Sequence, residues 1–371
     1  SMLIACASLA PEGPAAEIGP DRLLSGAALE LPRTAGLQAD AEILRPSPEM
    51  TAFIDRYVDR DANDYLQLHQ LIYAVIGDET FGLTYTDQTQ TAAETFRGRR
   101  GNCLSFTNLF VSMARDVGLR VSYQEVDIPP DWTMNDGTFT LNRHVNVHVD
   151  LGMAGGHVVD FNIGDFRSSY DRRIISDERA LAHYFNNKGV DALKRGQTGA
   201  AFANLRHALT RDPEFAPAWS NLGTLYRRRG LSNHAEASYL QALEVNRSEY
   251  VAISNLASLY AERGDMERSA RFENRASLHR MRNPYYRFGL ARDAFRGGDF
   301  DSAIGHLRFA VRRKPQEDSF HFLLGLSYLQ KGDARRARRW LDQAEELAQT
   351  DALKRNYRSK IDLLLSSVGE N

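Results

Sequence analysis

A chain of 371 residues, 43% hydrophobic and 25% charged, has the composition of a globular protein and the length of two or three domains. No run of 18 or more apolar residues occurs, which argues against a membrane-spanning helix. The net charge of −2 hides an asymmetry: residues 1–180 hold 15 Lys and Arg against 26 Asp and Glu, whereas residues 181–371 hold 31 against 22. The basic half carries no nucleic-acid motif and its arginines are scattered around helices, so nucleic acid is not an expected partner; docking between the halves, an acidic partner and plain solvated arginine remain open.

Residues 1–45 read as a start, a tether and an N-terminal arm. Leu3-Ile4-Ala5-Cys6 resembles a bacterial lipobox. The charged and apolar segments of an export signal do not precede it, so its beginning reads as trimmed, with Ser1 left from cloning. The resemblance implies lipidation of Cys6, an exported lipoprotein on the periplasmic face of a membrane, and no other membrane contact. Two cysteines with separate tasks would then need no disulfide. An Ala-, Pro-, Gly- and Glu-rich tract to Pro20 suits a tether. Residues 20–45 read as a short strand or an arm packing on the next domain.

Residues 46–180 form the next segment. Ser47 caps a helix with Pro48 at its first position and Phe53, Ile54, Tyr57 and Val58 on its buried face. Residues 63–76 make a second helix that Gly77 closes. Phe81 to Tyr85 is extended, and a short helix follows from Thr91 to Phe96. Gly101 and Asn102 then stop the extended chain and start a helix, on which Leu104, Phe106, Leu109, Phe110, Met113, Ala114 and Val117 recur at helical spacing until Gly118. Cys103 therefore sits on the first turn. There the backbone N–H groups and the helix dipole favour an anion, so this thiol is expected to ionise readily and act as a nucleophile. N–H groups of residues 102–104, Asn102 and Leu104 among them, are candidates for holding an oxyanion. Arg97, Arg99 and Arg100 offer a carboxylate site, although at least two of them read as surface charge.

Leu119 to Asp127 alternates as a strand, and residues 128–140 read as an irregular loop whose Trp132 overhangs the cleft. Residues 141–149 alternate strictly, the mark of a half-buried strand with His144, Asn146 and His148 on one face and Val145, Val147 and Val149 on the other. A Gly-rich turn and a returning strand carry His157 and Asp160. A base and an orienting acid are thus available to Cys103, with His144 and His148 both open as the base.

Gly101-Asn102-Cys103, His144-Val145-Asn146 and Val159-Asp160, in this order, resemble the transglutaminase-like (papain-related) superfamily over roughly residues 50–175. The resemblance implies an α+β cysteine domain with a Cys103-His144-Asp160 triad, His144 as the base, Asn146 and His148 behind it, and Tyr85 as a wall of the cleft. Read without the resemblance, Tyr85 is a core tyrosine. A metal site built from His144, His148, His157 and Asp160 would leave Cys103 and its helix without a task, so no metal and no cofactor is expected.

From residue 184 to 349 small residues recur every 34 positions: Gly189, Gly223, Ala257, Ala291 and Gly325; Ala201, Ala235, Ser269, Ala303 and Ala337; Ala208, Ala242, Ala276, Ala310 and Ala344. This is the period of tetratricopeptide (TPR) repeats. Trp219, Leu222, Gly223, Tyr226, Ala235, Tyr239 and Ala242 match that family's signature spacings. Five repeats make an all-α solenoid, with residues 350–371 as its capping helix and tail. A solenoid of this kind implies a groove for a peptide or protein partner, with Asn187, Asn221 and Asn255 as candidate backbone-binding side chains; a groove filled by the chain itself is the alternative. The function expected is acyl transfer on a peptide or protein amide, as a protease, amidase or transglutaminase, with hydrolysis favoured. The alternative is a lipid-anchored TPR adaptor with a non-catalytic transglutaminase-like domain.

Overall fold

The computed structural model describes residues 18–31, 37–77, 80–126, 133–135, 138–140, 144–161, 170–348 and 350–366. Cys6 and Trp132 lie outside the described residues. The chain divides into two compact units, residues 1–273 and 274–371.

In the first unit, residues 20–45 hold helices α1 (Pro20–Ser25) and α2 (Asp40–Ile43) instead of a strand, and they pack as an arm: Ser112 Oγ of the later helix 103–116 donates to the Leu44 carbonyl at 2.7 Å. Pro20 at the first helical position and Gly26 in the left-handed region (φ 67°) set the bounds of α1. This segment packs on the repeats: the Tyr226 hydroxyl donates to the Leu23 carbonyl at 2.6 Å, and His207 Nε2 lies 2.7 Å from Asp40 Oδ1. Helices α3 (Pro48–Tyr57) and α4 (Asp64–Ile76) are capped by Ser47 and Asn63, which accept from the Met50 and Leu66 N–H groups. Strand β1 (Thr84–Tyr85) precedes α5 (Ala92–Gly98), where Thr91 and Glu94 cap each other's backbone. Arg99, at φ 49°, then turns the chain into β2 (Arg100–Gly101), which pairs with β1 in parallel. Helix α6 (Cys103–Asp116) is the centre of this region; every residue from Leu104 to Ala114 is buried.

Strands β3 (Val121–Val126), β6 (His144–Asp150), β7 (Gly156–Val159) and β8 (Arg172–Ile175) form an antiparallel sheet in the order β7-β6-β3-β8. Strand β8 has no counterpart in the sequence reading. Strands β4 (Thr133–Asn135) and β5 (Thr138–Thr140) pair antiparallel where an irregular loop was expected. The β-branched Thr133, Thr138 and Thr140 around Asp136-Gly137 are the sequence signal for that hairpin. Strand β6 is not half-buried: His144, Val145, Asn146 and Val147 are all buried, so both of its faces are covered there.

Helices α7 (Asp177–Lys194), α8 (Thr198–Arg211), α9 (Ala216–Arg228), α10 (Ser232–Val245) and α11 (Tyr250–Glu262) follow in the first unit, and α12 (Met266–Arg282) runs across the division. The second unit holds α13 (Pro284–Arg296), α14 (Phe300–Arg313), α15 (Asp318–Gln330), α16 (Ala334–Leu347) and α17 (Asp351–Ser366). Small residues sit where the paired helices touch: a Cβ on Gly223 would lie 2.5 Å from the Tyr239 ring, and one on Gly325 2.6 Å from Leu341 Cγ. A second 34-residue series, Gly196, Gly230, Gly264, Gly298 and Gly332, takes φ between 71° and 80° in the turns between helices. In the second unit, Tyr357 of α17 stacks on Phe322 at 4.7 Å and donates to Asp318 at 2.6 Å, which covers the apolar end around Leu341 and Ala344.

The first compact unit runs past residue 180 for a physical reason. Helix α7 begins at Asp177, inside the segment read as 46–180, and it is tied to the sheet by ion pairs; β5 also touches α11. Among the described residues, no helix is long and apolar enough to cross a membrane.

Gly101→Ala tests the close approach at the start of α6. Its Cβ would lie 2.5 Å from Ser105 Cβ. The substitution is expected to destabilise the protein by about 1–3 kcal/mol, read as a lower thermal unfolding midpoint, and an unchanged midpoint would refute the tight contact.

Candidate active site

The N-terminus of α6 is held from outside the helix. Asn102 accepts from the Ser105 N–H at 3.0 Å and donates through Nδ2 to Thr89 Oγ1 at 2.7 Å. Thr86 N donates to Gly101 O, and Asn102 N donates to Gln88 O. Ser105 Oγ bonds the Gln88 carbonyl at 3.1 Å and the Gln90 N–H at 2.9 Å. Segment 84–90 is therefore a strap over the helix start. Gln88, Thr89 and Ser105 were not singled out in the sequence, since polar residues ahead of a helix carry no signal of which carbonyl they meet.

Cys103, a free half-buried thiol, occupies the first position of α6. The first bond back along the helix is Phe106 N to Asn102 O, so the N–H groups of Cys103 and Leu104 stand ahead of the helical ladder. Asn102 is a correction to the oxyanion set: its own N–H is committed to Gln88 and its side chain to the cap. Leu104 is buried, and only its backbone is suited to the role.

His144 opens β6, one strand over. Its Nε2 lies 2.7 Å from Asp160 Oδ2, and Asn146 Nδ2 donates to that same oxygen at 2.8 Å. The side chains of His144 and Asp160 are 6% and 5% exposed, so this pair is shielded from water. Cys103 also acts on the His144 ring, as its effect on the histidine's pKa shows. Burial disfavours the imidazolium, yet the hydrogen bond and charge of Asp160, together with Cys103, outweigh it and push the pKa up to about 9. The folded value lies above that of the free side chain. Its contribution to stability is therefore complete below pH ~6.5 and is lost as pH rises through about 9. Two buried hydrogen bonds keep α6 in register with the sheet: Thr107 Oγ1 to Val145 O at 2.9 Å and Tyr123 OH to Asn108 Oδ1 at 2.8 Å.

The remaining candidates separate. His148 is half-buried over β7, where a Cβ on Gly156 would meet its Nε2 at 2.4 Å, and it is His144 that reaches Asp160. Tyr85 is no core tyrosine: it is 59% exposed. Partial burial, then the charges of Cys103 and Asp87, raise its phenol pKa, and it lies opposite Gly101, two residues before Cys103, in the β1–β2 ladder. Arg97, Arg99 and Arg100 are all exposed. The three asparagines do not form one open row. Asn187 is half-exposed and Asn221 donates to Asn186 Oδ1 at 2.8 Å, while Asn255 is fully buried and so closed to a peptide in this state. Among the described residues, no group of three or more His, Cys, Asp and Glu is placed to hold a metal ion.

Residues 51–154 match the family profile of the transglutaminase-like superfamily. That span contains Cys103 and His144, and Asp160 lies just beyond it. Residues 216–249 and 288–352 match tetratricopeptide repeat profiles. No curated protein sequence matches the chain. Solved structures similar to it include MamA, at 20% identity with a TM-score of 0.25, covering 46% of this chain and 94% of that one. YrrB, described as a TPR protein with an unusual peptide-binding site, is 17% identical over 48% of this chain and 92% of its own, with a TM-score of 0.25. PilF of Pseudomonas aeruginosa is 17% identical over 52% and 91%, with a TM-score of 0.27. The chain joins a transglutaminase-like superfamily domain, matched over residues 51–154, to tetratricopeptide repeats between residues 216 and 352.

Proposed function

We propose that the protein is a cysteine acyl-transfer enzyme acting on peptide or protein amides, with Cys103 as nucleophile, His144 as base and then acid, and Asp160 as the group that orients His144. The observation that carries this reading is the buried His144–Asp160 pair, with Cys103 on the first turn of α6 close enough to raise the His144 pKa. His144 takes the thiol proton, and sulfur adds to the amide carbonyl. The N–H groups of Cys103 and Leu104 receive the oxyanion. The C–N bond breaks as His144 returns the proton to the departing amine, which leaves a thioester on Cys103. Water as acceptor completes a hydrolysis, the outcome we favour; an amine as acceptor completes a transamidation. The repeats recruit the polypeptide substrate or a partner that presents it.

Iodoacetamide labelling of Cys103 against pH, with Cys6 replaced by Ser, tests the reading. The native protein is expected to label fast well below pH 8, and His144→Ala to slow that labelling on the order of tenfold or more. Labelling that follows an ordinary thiol near pH ~8.5, with the denatured protein labelling normally as control, would sink it. A second test is the NMR titration of the His144 ring in the resting protein. It is expected near pH 9, the imidazolium persisting through neutrality; a midpoint at or below pH ~6.5 would remove the resting ion pair.

The lipobox resemblance supports a further part of the proposal, anchoring through a lipid on Cys6. In bacterial cells making the precursor with its export signal, Cys6→Ser is expected to move the protein from the membrane fraction to the soluble one. An unchanged distribution would refute the anchor.

A further inference from the structure

Helix α7, the first helix of the repeat region, reaches both the strand beside that of His144 and the strap over the start of the Cys103 helix. On the sheet it meets Glu125 of β3, the strand paired with that of His144. Glu125 lies opposite Val145 in the ladder, and its neighbour Val126 lies opposite His144. The Glu125 carboxylate, 11% exposed, is reached from α7 by His183 Nε2 at 2.7 Å and Arg179 Nε at 3.2 Å, and from β8 by Arg173 Nη2 at 2.6 Å. Arg179 extends the network to Asp212 Oδ2 at 2.7 Å and the Glu214 carbonyl at 3.1 Å, and both Arg179 and His183 pack on the Phe215 ring. Burial alone would raise the Glu125 pKa. The His183 and Arg173 hydrogen bonds and the cationic partners hold it well below the usual carboxylate range instead, so the tie stays charged at neutral pH.

On the cysteine side, Lys188 of α7 has its Nζ 3.4 Å from the Thr89 carbonyl. Thr89 belongs to the strap, and its hydroxyl accepts from Asn102, the cap residue next to Cys103. From Arg179 to Lys188 the helix advances about 13 Å. One rigid rod thus contacts the strand paired with the His144 strand and the strap over the Cys103 helix. Packing alone would need apolar side chains on that face. Desolvated ion pairs add little net stability, but they admit only one geometry.

We propose that α7 is a clamp that sets the register of Cys103 against His144, with Glu125 and Lys188 as positioning residues. This rests on the catalytic reading above. It makes the first repeat part of the catalytic scaffold, so that a partner which shifts α7 alters the reactivity of the thiol. The pair needs placement to a fraction of an ångström, and a 1 Å error costs on the order of a hundredfold in rate.

The test uses the full chain carrying Cys6→Ser, with Glu125→Gln and Lys188→Met made separately. Cys103 labelling by iodoacetamide is measured across pH beside the thermal unfolding midpoint. Each variant is expected to lose about tenfold or more of the low-pH labelling rate and to move its pH midpoint upward, toward that of an ordinary thiol. A role in packing alone lowers the unfolding midpoint and leaves the pH profile in place, and that result would overturn the clamp. If Glu125→Gln fails to fold, Lys188→Met, which removes no buried ion pair, decides the question. A parent protein that labels as an ordinary thiol would overturn the catalytic reading and the clamp with it. A parent with an activated thiol and variants identical to it would overturn the clamp alone.

Discussion

The start of α6 is the constraint on which the site depends. A helix beginning in the interior leaves N–H groups that must be met by something other than its own ladder. Here Asn102 and Ser105 meet part of that need and use their remaining valences to bind residues 88–90. The strap and the helix start thereby become one rigid piece, and Gly101 is small because Ser105 Cβ occupies the space where its side chain would stand. Cys103 gains a fixed position on the first turn, its own N–H and that of Leu104 standing ahead of the helical ladder.

The histidine side is fixed by different means. Strand β6 is buried on both faces over its first four residues, so His144 and Asn146 sit among groups that must pair with one another. Both converge on a single Asp160 oxygen. That convergence orients the ring. The buried Thr107 and Tyr123 bonds join helix to sheet, and each side is further tied to α7. The domain and the first repeats are therefore parts of one unit ending at residue 273, and the bond from Tyr226 to Leu23 adds the N-terminal segment to it.

Much of this was legible in the chain. The cap at Asn102, the apolar face behind Cys103 and the alternation around His144 are local patterns, and a local pattern survives into the fold because it states which side chains cannot face water. The 34-residue series is legible for the same reason: Gly223 and Gly325 are small wherever two helices come closest. The β4–β5 hairpin was missed even though Asp136-Gly137 marks it, because three-residue strands are too short for a period to register. Asn255 was misjudged because spacing tells which face a residue occupies on its own helix, and it does not tell what another part of the chain lays over that face.

By itself, then, the sequence determined the longer elements, the repeat period and the caps and faces around Cys103 and His144, since each depends on neighbours a few positions away. Only the tertiary structure decided that Nε2 of His144 serves Asp160, that Tyr85 stands exposed opposite Gly101, and that Glu125 and Lys188 tie the first repeat to β3 and to the strap. Those facts involve pairs up to 99 residues apart. Pairings at that distance leave no periodic trace in the chain, because their partners are chosen by how whole elements pack.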